Sequence, residues 1–232
     1  INPDIIFIHG FDCLYMWDVL FYVIKLTNAK LVTFITDDIY SNKYKGFLGK
    51  IYTNKLRRKI ERGIENSSLL YGASNDLCDE YSKIFGKCFR PLYKGVNIDN
   101  IPIKHSVNNP IKIVFAGNLY FGRWKTLALI AEALSVINKN QVFFKMDIYT
   151  YSFISKRISK SLKTNDNCKL HNGLGYNEIR KVFIESDIVL HVESFEDSDC
   201  KFTRLSFSTK ITDYIESGSC IIAIGSIKNA SI

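Results

Sequence analysis

The 232-residue chain lacks a long apolar run: its most apolar stretch, residues 14–26, is interrupted by Asp18 and Lys25. A bilayer-spanning helix needs about 20 such residues, so none is predicted. Prolines number 4 and glycines 13, too few for a collagen-like or low-complexity chain. The 6 cysteines (Cys13, Cys78, Cys88, Cys168, Cys200, Cys220) form no CxxC pair, and the 4 histidines fall at no metal-ligand spacing. This pattern predicts reduced, mostly buried thiols in a cytosolic protein and no metal site. The opening Ile1-Asn2-Pro3-Asp4 has no Met and no basic-then-apolar leader, so a fragment is expected.

Hydrophobic residues make up 47% of the chain and aromatics 13%, enough to fill the core of one large domain or two small ones. The 31 Lys+Arg exceed the 23 Asp+Glu by 8, which favours an anionic partner such as phosphate, nucleic acid or an acidic membrane surface.

Short runs rich in Ile, Val and Phe recur between helical stretches. Strands are predicted at 4–8, 30–35 and 68–71, with an extended piece at 88–93; helices are predicted at 13–26, 43–64 and 75–85. Residues 97–110 (NIDNIPIKHSVNNP) have two prolines and no periodicity, the composition of a linker. The expected division is a first domain at 1–98, a linker at 99–110 and a second domain at 111–232. In the second, strands at 111–116, 143–149, 168–171, 188–192 and 220–224 alternate with helices at 124–137, 153–162, 177–185 and 209–217. Strands without polar alternation imply parallel sheets covered on both faces, and the second domain reads as doubly wound.

Two segments carry candidate chemistry. Between a strand and a helix lies Phe115-Ala116-Gly117-Asn118-Leu119-Tyr120-Phe121-Gly122-Arg123-Trp124-Lys125. A Gly-rich turn there aims backbone N–H groups and a helix dipole at an anion, and Arg123 and Lys125 add charge. A phosphate site is the inference. A Walker A loop needs Lys and then Ser or Thr after its second glycine; Arg123 and Trp124 stand instead. The second segment follows the strand at 188–192: Glu193-Ser194-Phe195-Glu196, a polar loop, then a helix with Ser208 or Thr209 as N-cap and Gly218 as its stop. Here Lys210 and Asp213, three apart, share a face.

In this order the two segments resemble the donor-binding domain of GT-B glycosyltransferases of the group-1 (family-4) class, the polysaccharide-assembly type. "IVFAGNLYFGRWKTLALIAEAL" is similar to that class's strand, turn and helix, with Lys125 at the position of a diphosphate-contacting lysine and Asn118 where an arginine often follows the glycine. "CKLHNGLGYNEIRKVFIESDIVLHVES" and "SFSTKITDYIESGSCIIAIG" look like its later segments. The family's two glutamates seven residues apart are absent. Asp213 falls at the second, and Glu193 or Glu196 stands in for the first.

The resemblance implies two Rossmann-like domains, the N-terminal one incomplete and the closing C-terminal helices missing. It also implies transfer of a sugar from a nucleotide diphosphate sugar to a glycan or lipid-linked acceptor, with retention and with neither metal nor cofactor. The catalytic residues implied are His9, Arg123, Lys125 and Lys210. The donor-binding residues implied are Gly117, Asn118, Glu193, Glu196, Ser208, Thr209 and Asp213. The competing readings are a catalytically silent glycosyltransferase-like binding subunit and a P-loop-type NTPase.

Charge is concentrated in the first domain. Residues 43–62 hold eight basic residues (Lys43, Lys45, Lys50, Lys55, Arg57, Arg58, Lys59, Arg62) against Glu61. Leu48, Tyr52, Leu56, Ile60 and Ile64 give that helix one apolar stripe. It reads as a surface helix for an anionic membrane or as a core-packed helix with a solvated basic face. The protein is accordingly placed in the cytoplasm, peripheral on the inner face of the cell membrane, with no nucleic-acid partner.

Overall fold

A computed structural model describes residues 2–41, 44–162 and 167–232. The chain forms two compact units: residues 1–93 with 202–207 and Ser231, and residues 94–201 with 208–230 and Ile232. No sequence signal marks residues 202–207 as members of the first unit.

Unit 1 is a four-stranded parallel sheet in sequence order, β1 (Ile5–His9), β2 (Lys30–Ile35), β3 (Ser67–Gly72) and β4 (Arg90–Pro91). Between the strands lie α1 (Leu14–Thr27), α2 (Gly46–Glu65) and α3 (Asn75–Phe85). Strands added in one direction through right-handed crossovers put all three helices on one face. That face carries the core of Ile8, Leu31, Ile35 and Leu70 with Trp17, Leu56, Ile60, Leu77 and Tyr81. On the other face Ile5, Phe7 and Leu69 are exposed among the described residues. Gly63 lets α2 approach α1: a Cβ there would fall on the Trp17 ring. α3 starts at Ser74, whose hydroxyl accepts from the Leu77 N–H, and stops at left-handed Gly86.

The expected 43–64 helix begins at Gly46, and Lys43 lies outside the described residues. Its apolar stripe holds for Leu56, Ile60 and Ile64 but not for Leu48, which is exposed. The contacts explain this. Tyr52 donates to Asp12 O, Lys59 pairs with Asp18, and Arg62 lies over the Phe21 ring. α1 and α2 therefore run parallel, offset by about forty residues of sequence, and about the first two turns of α2 project past the start of α1.

Unit 2 has five parallel strands in the order β7-β6-β5-β8-β9, with β5 Ile111–Ala116, β6 Phe144–Thr150, β7 Cys168–Asn172, β8 Ile188–Val192 and β9 Cys220–Ile224. Helices α4 (Arg123–Ile137) and α5 (Lys156–Leu162) precede α6 (Tyr176–Glu185), α7 (Asp197–Thr203, whose last two residues count with unit 1) and α8 (Lys210–Ser217). Two cores flank the sheet. One has Leu127, Ala131 and Leu134 of α4 against Ile113, Phe115 and Ile148; the other has Phe183 of α6 and Tyr214 of α8 against Val114 and Val189. This is a doubly wound domain whose strand order reverses between β5 and β8. The expected polar loop after β8 contains α7, and a short 3-10 turn, Ile98–Asn100, lies in the expected linker.

Candidate functional site

In an open α/β sheet the crevice forms outside the strand carboxyl ends at the point of reversal. Here β5 ends at Ala116 and β8 at Val192, so the Gly117 turn and Glu193 meet there. The turn is internally tied. Leu119 is buried and its N–H donates to Ser152 Oγ (2.9 Å), while the Tyr120 N–H donates to Asn118 Oδ1 (3.2 Å). Gly122 (φ 71°) precedes α4 in a left-handed conformation. A Cβ there would run into Asp199 and lie 2.5 Å from Ser194 Oγ, so the position takes glycine on both counts. The Arg123 and Lys125 N–H groups donate to Tyr120 O and Gly122 O, so these two are committed within the turn.

Arg123 is the first residue of α4. It donates from Nη2 to Glu193 Oε1 (2.7 Å) and from Nη1 to Asn118 Oδ1 (2.7 Å). Glu193 is pinned on both sides of its backbone: its N–H donates to Ile224 O and its carbonyl accepts from Thr126 Oγ1. The Glu193 side chain is 3% exposed, and its Oε2 has no hydrogen-bond partner among the described residues. His191 Nε2 lies 3.9 Å from Glu193 Oε1. Burial, then Arg123 and Lys210, push its pKa down to about 4. Burial first, then Arg123, also lowers the Lys210 ammonium; Asp213 and Glu193 oppose the shift.

The His191 shift has a definite sign. Its folded pKa lies below the ordinary value of 6.5, so between these two pH values the unfolded chain binds a proton that the folded one refuses. Stability from neutral His191 is complete above pH 6.5 and declines as pH falls towards about 4. Histidine NMR is expected to find His191 neutral at pH 5; a titration midpoint near 6.5 would disprove the buried cluster.

Beside the cluster opens a cavity of about 570 Å³, lined by Gly117, Asn118, Tyr120, Tyr149, Tyr151, Gly173, Tyr176, Lys210 and Asp213 among others. Lys210 and Asp213 reach it from one face of α8. Tyr214 points into the core instead, packing edge-on to Phe183 with its hydroxyl donating to Ala116 O. Asp213 Oδ1 accepts from Lys94 Nζ at 2.5 Å, and Lys94 and Arg180 both lie over the Tyr176 ring.

Of the residues expected at the site, Gly117, Asn118, Lys210 and Asp213 thus share one cavity, and Arg123 and Glu193 form the buried pair next to it. Lys125 and Glu196 pair with each other (2.5 Å) away from the lining. Ser208 and Thr209 do not line it either, and Thr209, although at the N-cap, makes no side-chain cap bond. Its carbonyl accepts from Thr212 Oγ1 while Ser208 O accepts from the Ile211 N–H. Gly218 stops α8 as expected, left-handed at φ 67°. His9 belongs to unit 1, where its Nε2 bonds Thr36 Oγ1 at 2.7 Å. The sequence pattern marks Tyr120 within the turn but neither Lys94 nor Tyr176, and only the closely spaced Tyr149 and Tyr151 at the carboxyl end of β6 signal a further aromatic lining. Among the described residues no group of three or more His, Cys, Asp or Glu is placed to hold a metal ion.

No protein-family model matches the chain, and no curated protein sequence is significantly similar to it. Solved structures are similar. A complex of a Staphylococcus aureus TarM mutant with fondaparinux, alpha-GlcNAc-glycerol and UDP matches with a TM-score of 0.66 at 14% identity, over 95% of this chain and 41% of that one. An E. coli structure described as trehalose-6-phosphate bound with UDP-2-fluoro glucose matches at 0.61 and 13%, over 99% and 60%. The pneumococcal O-GlcNAc transferase GtfA with UDP and GlcNAc matches at 0.54 and 13%, over 89% and 39%. The chain therefore has the GT-B glycosyltransferase fold, with Rossmann-like α/β units, and spans 39–60% of the length of these three proteins.

Proposed function

We propose that this chain is part of a glycosyltransferase that moves a sugar from a nucleotide diphosphate sugar to a glycan or lipid-linked acceptor, with retention of configuration and without a metal. The observation that carries the reading is the cavity at the sheet's reversal point, with a Gly117 turn on one side and Lys210 and Asp213 of α8 on the other. A departing nucleoside diphosphate accumulates negative charge, and pre-placed cations that need no reorganisation stabilise it most. Lys210 supplies that cation from a half-buried position. Arg123, held by Glu193 and Asn118, supplies a second beside it. Asp213 accepts ribose hydroxyls in exchange for Lys94, and the lining tyrosines offer faces for a nucleobase. His9, fixed through Thr36, serves the acceptor side. The work is assigned to polysaccharide assembly in the cytoplasm, with the chain peripheral on the inner face of the cell membrane.

The test is a thermal-shift screen of UDP, GDP, TDP and CMP compounds with and without EDTA. A ligand that binds the native state at 100 times its Kd adds about 2.7 kcal/mol of stability, so one nucleotide class is expected to raise Tm by several degrees, unchanged by EDTA. A shift that needs magnesium would favour the NTPase reading; no shift with any compound would refute the donor site. The silent-subunit reading is favoured by one feature, the engagement of Asp213 by Lys94. It predicts binding without any donor turnover.

A further inference from the structure

We propose that the projecting start of α2 is a docking wedge for an anionic lipid bilayer. Phe47 and Leu48 are 79% and 78% exposed, and Ile51 is exposed beside them. At 100° per residue, Phe47, Ile51, Lys55 and Arg58 fall on one outward face, opposite the stripe of Thr53, Leu56, Ile60 and Ile64 that is buried. Because of the offset, α1 does not reach these first turns; among the described residues Tyr44 packs on their inner side, at Gly49, Tyr52 and Thr53, and leaves Phe47, Leu48 and Ile51 exposed.

The surrounding charge fits one kind of occupant. Lys45, Lys50, Lys55 and Arg58 are all exposed and none makes an ion pair among the described residues. The other basic residues of the helix are engaged: Arg57 with Tyr40, Lys59 with Asp18, and Arg62 over Phe21. Of the uncommitted cations Lys45, Lys50 and Lys55 belong to the half of α2 where the apolar side chains protrude, and only Arg58 lies beyond it. The first turn of α2 has no acidic residue and no side-chain cap, so its dipole adds to the positive field. Large apolar side chains ringed by free cations suit a surface that offers acyl chains beneath anionic headgroups. A folded acidic protein would match the charge but gives no reason for two protruding apolar tips at one end of the basic run.

Position connects the wedge to chemistry. A crossover helix starts at the carboxyl edge of its sheet, so the wedge stands on the edge of unit 1 where β1 ends at His9 and where Thr36 and Asp37 follow β2. A bilayer there would bring a lipid-linked acceptor to the His9 side of this unit. The inference rests on the membrane-side part of the proposed function, and its test is independent of donor binding.

The full chain is sedimented with phosphatidylcholine vesicles and with phosphatidylcholine vesicles containing phosphatidylserine. Binding is expected to the anionic vesicles only, and to vanish as salt rises from about 0.1 M to about 1 M and the screening length contracts from about 10 Å to about 3 Å. Lys50→Gln and Lys55→Gln should each weaken it about fivefold. The double variant F47S/L48S should weaken it at least about tenfold while keeping the parent Tm and donor shift. No binding, equal binding to both vesicles, or full binding by F47S/L48S would overturn the proposal. So would a lowered Tm in that variant, which would mean the wedge packs within the fold, or loss of a dimer by light scattering, which would make a second copy the occupant.

Discussion

Arg123→Ala is expected to lower the stability of unit 2 by about 3 kcal/mol, a fall in Tm of about 6–12 °C. Removing one partner of a buried ion pair strands the other. Glu193 is 3% exposed and its Oε2 already has no hydrogen-bond partner among the described residues, so its carboxylate has nowhere to turn once the guanidinium is gone. The lower end of the range for buried pairs applies because the Arg123 side chain keeps 17% exposure. Neutralising the stranded charge should help: R123A/E193Q is expected to recover more than half of the loss. Lys125→Ala is the contrasting case, because the Lys125–Glu196 pair is exposed and such pairs contribute about 0–1 kcal/mol. An R123A protein that melts with the parent would show that Glu193 is not held by this pair. The turn's two cations, equivalent as a sequence pattern, are thus expected to separate into one that builds the site and one at its margin.

Lys210→Ala is expected to reduce turnover at least tenfold, equivalent to about 1.4 kcal/mol of transition-state stabilisation. If the ammonium meets charge that develops on the leaving diphosphate, kcat and kcat/KM fall together, and Lys210→Arg restores part of the rate. Burial and Arg123 lower the Lys210 pKa. The protonated form is the working one, so the rate should fall as pH rises through a value below the ordinary 10.5. Asp213→Asn is expected to act differently, raising the donor KM about tenfold with little change in kcat, because a ribose contact is made equally in ground and transition states. The Asp213 carboxylate also holds Lys94, so Lys94→Ala on its own should leave Asp213 in the cavity and alter KM less than D213N. Wild-type kinetics in both K210A and D213N, with a donor that shifts Tm, would reduce α8 to a structural element.

The order of elements was legible in the chain because most strands are short apolar runs, β-branched in β1, β2, β5, β8 and β9, closed by glycine or polar residues, and hydrophobic burial acts on that pattern locally. Among the described residues eight of the nine strands and seven of the eight α-helices stand where their patterns placed them, apart from shifted ends, and the two-residue β4 falls in the expected extended piece at 88–93. α7 was not legible, since Asp197-Ser198-Asp199-Cys200-Lys201-Phe202-Thr203 has a loop's composition. Its first turns close with the Asp199 and Cys200 N–H groups on Glu196 O, and Cys200 is buried. Lys210 and Asp213 could be paired from helix spacing alone, because three residues return a side chain to the same face.

Which charges face one another was decided by tertiary structure. Arg123 and Glu193 are seventy residues apart, as are Lys125 and Glu196 within one residue. The local sequence gives no reason why the first pair is buried and the second exposed. The reversal of strand order between β5 and β8 brings Glu193 against the base of α4, where Thr126 and Ile224 hold its backbone, whereas Glu196 lies three residues beyond the strand's hold. Leu48 teaches the same in unit 1. The four-residue spacing that assigns it to the core drifts about 40° per step, so Leu48 stands about 160° round the helix from Ile64, and α1 begins too late to cover that side.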